Sequence, residues 1–142
     1  MKAKAVCVMR TDLRNTDGNK VPKGKLIAQG GHAFVGLLTK LMVSPPGIIT
    51  TADTSIRCLY LKHFEPLQLW LDGKFTKIVL AVDSEEELLD LYSKAKSFGL
   101  NCVLITDSGD TEFSEPTNTC IGIGPSWDIN IDKITGHLKG YS

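Results

Sequence analysis

Hydrophobic and polar positions along the chain follow two periods, one typical of strands and the other of amphipathic helices. Short apolar runs predict four strands, at AKAVCVM, TKIVLAV, NCVLIT and NTCIGIG. Apolar residues recur at helical spacing between and after these runs, which predicts four helices. The resulting order β-α-α-β-α-β-β-α has no internal repeat and no dividing linker. It predicts a single-domain, layered α/β fold with a mixed sheet over residues 1–142.

The first predicted helix begins at Lys25 and ends near Met42, and it has two distinct faces. An apolar stripe suits packing on the sheet. The neighbouring stripe carries Lys25, Gln29, His32 and Gly36. The second helix is predicted within IRCLYLKHFEPLQLWLDG, with an interruption or kink at Pro66, because proline lacks the N–H of an internal helical residue. The polar segments RTDLRNTDGNKVPKGK and SPPGIITTADTS are predicted to be loops.

The third predicted helix has the clearest boundaries in the chain. Ser84 and Glu87 form a capping box at its start, and Gly99 is a typical C-terminal stop. The fourth helix is predicted to open at Pro125 and Ser126 and to stop at Gly140. Its inward-facing residues are expected to be Ile129, Ile134 and Leu138.

The chain has no formal net charge, but its charged residues are unevenly distributed along the sequence. Sixteen Lys and Arg match sixteen Asp and Glu among 142 residues, which excludes a generally basic nucleic-acid-binding coat. Residues 1–25 nevertheless hold seven basic side chains against two acidic ones. This segment is either a local site for a polyanion or an ordinary solvated loop.

The four cysteines are widely spaced and lack the pairing of a zinc-finger motif. Three of them lie in apolar runs, which favours reduced thiols in the core. The N-terminal apolar run is too short for a signal peptide, and no stretch is long enough to span a membrane. We therefore expect a soluble cytoplasmic protein.

Spacing alone reveals no catalytic signature, since GxSxG, HExxH and GxxxxGK[ST] do not occur. His32 on the first helix is either a general base or a side chain that caps a loop by hydrogen bonding. Asp107 follows a strand, where the sites of α/β proteins gather, but an aspartate before Ser-Gly is equally typical of a turn.

Several motifs, taken together, resemble the type II peptidyl-tRNA hydrolase family of archaea and eukaryotes. They occur in the family's order and at compatible spacing, and they are RTDL, KGKLIAQGGHA, KIVLAVDSEEELLDLYSKAKSFGL, LITDSGDT and CIGIGPSWDINIDKITGHLK. The resemblance implies a cytoplasmic esterase that releases peptides from peptidyl-tRNA. It also implies a four-stranded mixed sheet between two helical layers, a homodimer, and no need for a metal or another cofactor.

The resemblance also implies the residues of the site. The family's catalytic lysine, the first of its KGK motif, falls on Lys23, and its aspartate falls on Asp107. Further residues implied at the catalytic centre are Thr111, Thr119 and His32. Residues implied to grip the tRNA backbone without reading sequence are Arg14, Lys20, Lys25 and Gln29. We expect Lys23 and Asp107 to lie side by side at one end of the sheet.

Some features depart from the family's pattern. The loop before KGKLIA is longer than the family's, and the segment around SPPGIITTADTS also looks inserted. Asp110, with Glu112 and Glu115, makes the rim of the site acidic, which disfavours tRNA. These departures motivate a second hypothesis, a catalytically weak module that keeps the fold and binds tRNA or a protein partner. The aromatic and leucine cluster expected at the dimer interface is Phe64, Leu67, Leu69, Trp70 and Trp127.

Overall fold

A computed structural model describes residues 1–47, 51 and 55–142; part of the predicted SPPGIITTADTS loop, residues 48–50 and 52–54, lies outside this description. Four described strands form one sheet, in the order β2-β1-β4-β3. Strand β1 runs parallel to β2 and antiparallel to β4, which in turn is antiparallel to β3, so the predicted mixed sheet is confirmed. The strands are β1 (Ala3–Arg10), β2 (Lys77–Val82), β3 (Cys102–Asp107) and β4 (Thr117–Trp127).

Helices cover both faces of the sheet. The described residues form α1 (Lys23–Leu41), α2 (Pro66–Asp72), α3 (Glu85–Ser97) and α4 (Asp128–Thr135). Alternate residues of β1 face opposite layers: Val6 and Val8 pack with α3 and α4, whereas Ala5 and Cys7 pack with the α1 and α2 side. The predicted element order and the α/β/α layering are therefore confirmed.

The start of α3 shows how the sequence sets a helix boundary. The Ser84 hydroxyl accepts a hydrogen bond from the Glu87 N–H at 3.1 Å, as the capping-box pattern predicts. The Glu87 carboxylate in turn accepts from the N–H of Asp83 at 3.3 Å, one residue earlier than in the usual box. Gly99, with φ of +75°, follows the last turn.

Residues 56–65 differ from their predicted helical conformation. The helix is confined to Pro66–Asp72, with Pro66 in its first turn, and Cys58 instead makes a short antiparallel bridge with Val43. Proline suits a first helical turn and disfavours helix in the residue before it, while Phe64 has a left-handed φ of +64°. Together these features make Pro66 a beginning rather than a kink.

The C-terminal helix also begins later and ends earlier than predicted. Pairing with β1 keeps Ser126 and Trp127 in β4, so α4 starts at Asp128. This shift turns Ile129 outward, at 65% exposed, and leaves Ile131 and Ile134 as the buried residues. The helix ends at Thr135, and the segment after it bridges β2.

One end of the sheet collects the ends of several elements. Strands β1, β2 and β3 all terminate there, while β4 begins there, as their parallel and antiparallel pairings require. The loop 11–22 leads from this end into the first turn of α1. Asp107 at the end of β3, Thr119 near the start of β4 and the first turn of α1 consequently converge.

Candidate active site

Asp107 lies at the centre of a hydrogen-bonded cluster at this end of the sheet. Its Oδ2 accepts from Lys25 Nζ at 2.6 Å and from Gln29 Nε2 at 3.1 Å, and its Oδ1 accepts from the Gly109 N–H at 2.9 Å. The side chain is only 9% exposed. The turn needs glycine, because Gly109 has φ of +90° and a Cβ there would lie 2.5 Å from the backbone of Glu115.

Lys25 supplies the positive charge of the cluster. Its ammonium donates to Asp107 and also to Thr111 Oγ1 at 2.9 Å, and it lies 6.0 Å from the ring centroid of Phe113. An ammonium has three N–H donors, and the described residues engage two of them. The third N–H and the Thr111 hydroxyl proton are therefore available to a ligand at this position.

A buried chain of two hydrogen bonds, called here the buried relay, links Thr119 through Gln29 to the Asp107 carboxylate. The Gln29 side chain, 2% exposed, donates through Nε2 to Asp107 and accepts through Oε1 from the Thr119 hydroxyl at 2.6 Å. Thr119 is completely buried. A carboxylate can only accept, so the amide nitrogen must face Asp107 and the amide oxygen must face the hydroxyl. This chain of contacts fixes the orientation of Asp107.

The cluster keeps Asp107 ionised. The hydrogen bond from the Lys25 ammonium lowers the pKa of Asp107 below its ordinary value of 3.8, although burial opposes the shift. The Gly109 N–H and the Gln29 amide lower this pKa further. At neutral pH the site therefore presents a carboxylate beside an ammonium, with a hydroxyl on the same ammonium.

The structure does not bring Lys23 to Asp107, and Lys25 makes the ion pair instead. Lys25 and Gln29 are one turn apart on α1 and share the face that meets Asp107, and α1 begins at Lys23 rather than at the predicted Lys25, so Lys23 is also helical. Two residues apart on a helix are about 200° apart around its axis, so the two lysines lie on opposite flanks. Lys23 is exposed and lines a groove between α1 and β2.

The other predicted site residues lie at different depths in the structure. Gln29 is buried under Asp107 and does not face solvent, as a tRNA contact would. Thr119 is equally buried and contacts Asp107 only through Gln29. His32 is exposed on α1, and no hydrogen bond of its side chain occurs among the described residues. Arg14 and Lys20 are exposed and line the same groove as Lys23.

The long loop before α1 is ordered and packs on the acidic rim. Arg14 and Lys20 form an antiparallel bridge that closes a turn around Asn15, whose side-chain oxygen accepts two backbone N–H groups, those of Asp17 and Asn19. The turn is joined to the rim because the Glu112 carbonyl accepts from the Thr16 N–H at 3.1 Å. The Asn-Thr-Asp-Gly-Asn run is a turn signal that could have predicted this hairpin.

Two further findings concern metals and membranes. Among the residues that the structure describes, no group of three or more His, Cys, Asp or Glu side chains could hold a metal ion. Likewise, none of the described helices has the length and apolar character needed to cross a membrane.

The cysteines are free thiols, with Cys7, Cys102 and Cys120 buried and Cys58 half-buried.

A layered α/β fold with a buried carboxylate, an ammonium and a hydroxyl at its strand ends is typical of an α/β enzyme. The sequence model of the family described as Peptidyl-tRNA hydrolase PTH2 matches residues 3–141. The chain is 38% identical over 136 residues to a Peptidyl-tRNA hydrolase of Methanocaldococcus jannaschii, covering 96% of this chain and 97% of the relative. A Sulfurisphaera tokodaii protein of the same name is 37% identical over 139 residues, 98% of each chain. This chain belongs to the peptidyl-tRNA hydrolase PTH2 family.

Proposed function

We propose that this chain hydrolyses the ester bond between the peptide and the tRNA of peptidyl-tRNA, and so returns tRNA to translation. Family membership supports the reaction. The observation that carries the assignment of the site is the Lys25–Asp107 ion pair, which Gln29 and Thr119 hold in place. The reacting groups of the proposal are Asp107, Lys25 and Thr111.

Asp107 is the group that positions water. Its Oδ2 is occupied by two donors, whereas Oδ1 accepts one backbone N–H and keeps a lone pair for another donor. A water that donates to Oδ1 is held for attack on the ester carbonyl carbon. Because the pKa of Asp107 is lowered, its main contribution is orientation, and it accepts the water's proton only as the new C–O bond forms.

Lys25 and Thr111 stabilise the charge that develops on the carbonyl oxygen. The third Lys25 N–H and the Thr111 O–H are both available at the same ammonium. Donors held in place by the fold stabilise such charge without the reorganisation that solvent would require. The proton taken up by Asp107 passes to the ribose oxygen as the ester bond breaks, which leaves free peptide and free tRNA.

We assign tRNA binding to the exposed basic side chains near the N-terminus of α1. Arg14, Lys20 and Lys23 are solvent-exposed and lie on one flank of α1 and its preceding loop. Contacts of this kind go to backbone phosphates and are insensitive to base sequence. Arg10 is less suited, because its guanidinium is engaged by Asp12 and Glu85.

We also place the reaction in the cytoplasm and propose that the protein is a homodimer. The cluster expected at the interface is only partly at the surface, because Trp70 is buried in the monomer against Phe75. Phe64 is 81% exposed, whereas Leu67 and Trp127 are half-buried. Light scattering at micromolar concentration should give twice the mass of one chain, and a single-chain mass would contradict the homodimer.

The proposed activity is tested with purified protein, without added metal, on N-acetyl-aminoacyl-tRNA. Release of free tRNA is followed against a no-protein control. We expect release by the natural chain and about 10²-fold less by Asp107→Asn. Asp110→Asn is the matched control and should stay active, because this aspartate is exposed and its side chain accepts a hydrogen bond from the Ser108 hydroxyl. Binding of tRNA without release by the natural chain would support the non-catalytic module.

A further inference from the structure

A long groove flanks α1 on the side away from Asp107. Its volume is about 980 Å³, at the upper end of the range for small-molecule sites. Its walls come from α1, from the first and second strands, from the loop 11–22 and from the C-terminal segment. The apolar residues that define this α1–β2 groove include Leu13, Leu26, Ile27, Phe34, Val79 and Tyr141.

We propose that the α1–β2 groove binds the peptide arm of peptidyl-tRNA, a ligand of uncharged main chain and variable apolar side chains. This inference rests on the proposed function and adds to it the position of one part of the substrate. The groove and the ion pair share the first turn of α1, since Lys23 lines the groove and Lys25 reaches Asp107. A substrate whose ester lies on the Lys25 flank of this turn can pass around the turn and extend one arm along the groove.

The length of the groove suits a short peptide. Its lining residues on α1 run from Lys23 to Phe34. Eleven helical steps of 1.5 Å make about 16 Å. An extended peptide rises about 3.3 Å per residue, so the groove accommodates about five residues. Apolar walls without a dense set of polar groups bind side chains by burial, which suits a substrate that varies in sequence.

The distribution of charge in the α1–β2 groove indicates that it holds the peptide of the substrate and not the tRNA. The basic residues of its lining lie at the end of the groove where α1 begins, and they are Arg10, Arg14, Lys20 and Lys23. Among the described residues that line it, none is Asp or Glu. On α1 the basic lining is limited to Lys23 in the first turn, so phosphates placed beside Phe34 would have no basic partner among the lining residues of that helix. The tRNA therefore belongs at the basic end, and the peptide belongs along the apolar walls.

Two glycines give a direct way to fill the groove. Gly30 and Gly31 line it, and a Cβ built on either would meet nothing within 4 Å. A Cβ at Gly31 therefore has open space around it, and a larger side chain there would extend into the groove. It would also favour the helix, in which glycine is a poor residue. Ala28 is exposed on the same helix and does not line the groove, so Ala28→Leu is a matched control.

The test compares two substrates on the same tRNA, one with an N-acetylglycyl group and one with an apolar tetrapeptide. Gly31→Leu should raise KM for the tetrapeptide substrate about tenfold and leave the acetylglycyl substrate unchanged. Ala28→Leu should change neither. Ile27→Ser, at an exposed groove residue that folding does not require, should also weaken only the tetrapeptide substrate.

Two outcomes would overturn the inference, and a third would contradict the function on which it rests. Equal effects of Gly31→Leu on both substrates, or no effect on either, would show that the peptide does not lie in this groove. If Gly31→Leu changed the mass measured by light scattering and changed KM equally for both substrates, the groove would be a contact surface between two copies of the chain. Failure of the natural chain to hydrolyse either substrate would instead contradict the proposed function, and this result is distinct from the other two.

Discussion

Thr119→Val tests the buried relay that holds Asp107. Valine has nearly the shape of threonine, but it cannot donate the 2.6 Å hydrogen bond to the Gln29 amide oxygen. Both residues are buried, so that oxygen would lose its partner where water does not replace it. A buried polar group without a partner costs about 1–3 kcal/mol. For a domain of this size, each kcal/mol lowers Tm by about 3–4 °C.

The same change should affect turnover through the position of Asp107. Once Thr119 no longer fixes the Gln29 amide, the amide can rotate away from the carboxylate, and Asp107 loses one of its donors. We expect kcat to fall about tenfold, with KM nearly unchanged, because the relay contacts no part of the substrate. Thr119→Ser keeps the hydroxyl and should restore most of the kcat, although the lost methyl group still costs about 1 kcal/mol.

Thermal unfolding and steady-state hydrolysis measure the two effects on the same protein. A Thr119→Val variant with unchanged Tm and unchanged kcat would refute the relay. So would a serine variant as slow as the valine variant, because the hydroxyl would then not be the relevant group.

Three further predictions follow from the charges of the site. Because the pKa of Asp107 is lowered on folding, this group stabilises the protein above pH 3.8, and the contribution is lost as pH falls below that value. Acid unfolding of Asp107→Asn should lack that part of the pH dependence. Identical profiles of stability against pH for the variant and the natural chain would contradict this prediction. Replacing Arg14 and Lys20 together with Ala should weaken tRNA binding and flatten its salt dependence, as measured by titration at several salt concentrations. An unchanged dependence of the affinity on salt would show that the tRNA does not contact these two residues. Asp110→Arg should strengthen tRNA binding in the same titration, and unchanged or weaker binding would show that the acidic rim does not oppose the substrate.

The sequence predicts the layers of the fold well because the strands are nearly continuous apolar runs. Val6 and Val8 on one face, and Cys7 on the other, are buried as the pattern requires. Helix α3 carries its own boundary signals. The segment 56–65 misleads because its apolar residues fit a helical period, whereas Pro66 and the conformation of Phe64 start the helix later.

The site is predictable as a set of residues but not as a set of contacts. Asp107, Thr111 and Thr119 do converge, yet the partner of the carboxylate depends on which face of α1 meets the end of β3. Lys23 and Lys25 are about 200° apart around the axis, and the face of α1 that meets Asp107 is set by packing on strands far away in sequence. The burial of Gln29 could not be predicted from its helical stripe alone, because the sheet edge that covers it comes from residues far away in sequence.

The identity of the working lysine is tested most directly by kcat at saturating peptidyl-tRNA for Lys25→Ala and Lys23→Ala, with both variants shown to be folded. Lys25 contacts Asp107 and Thr111, whereas Lys23 lies on the other flank of α1. We predict that Lys25→Ala lowers kcat by about 10²-fold or more. Lys23→Ala should keep kcat and raise KM. A loss of kcat in Lys23→Ala with near-normal kcat in Lys25→Ala would contradict the account.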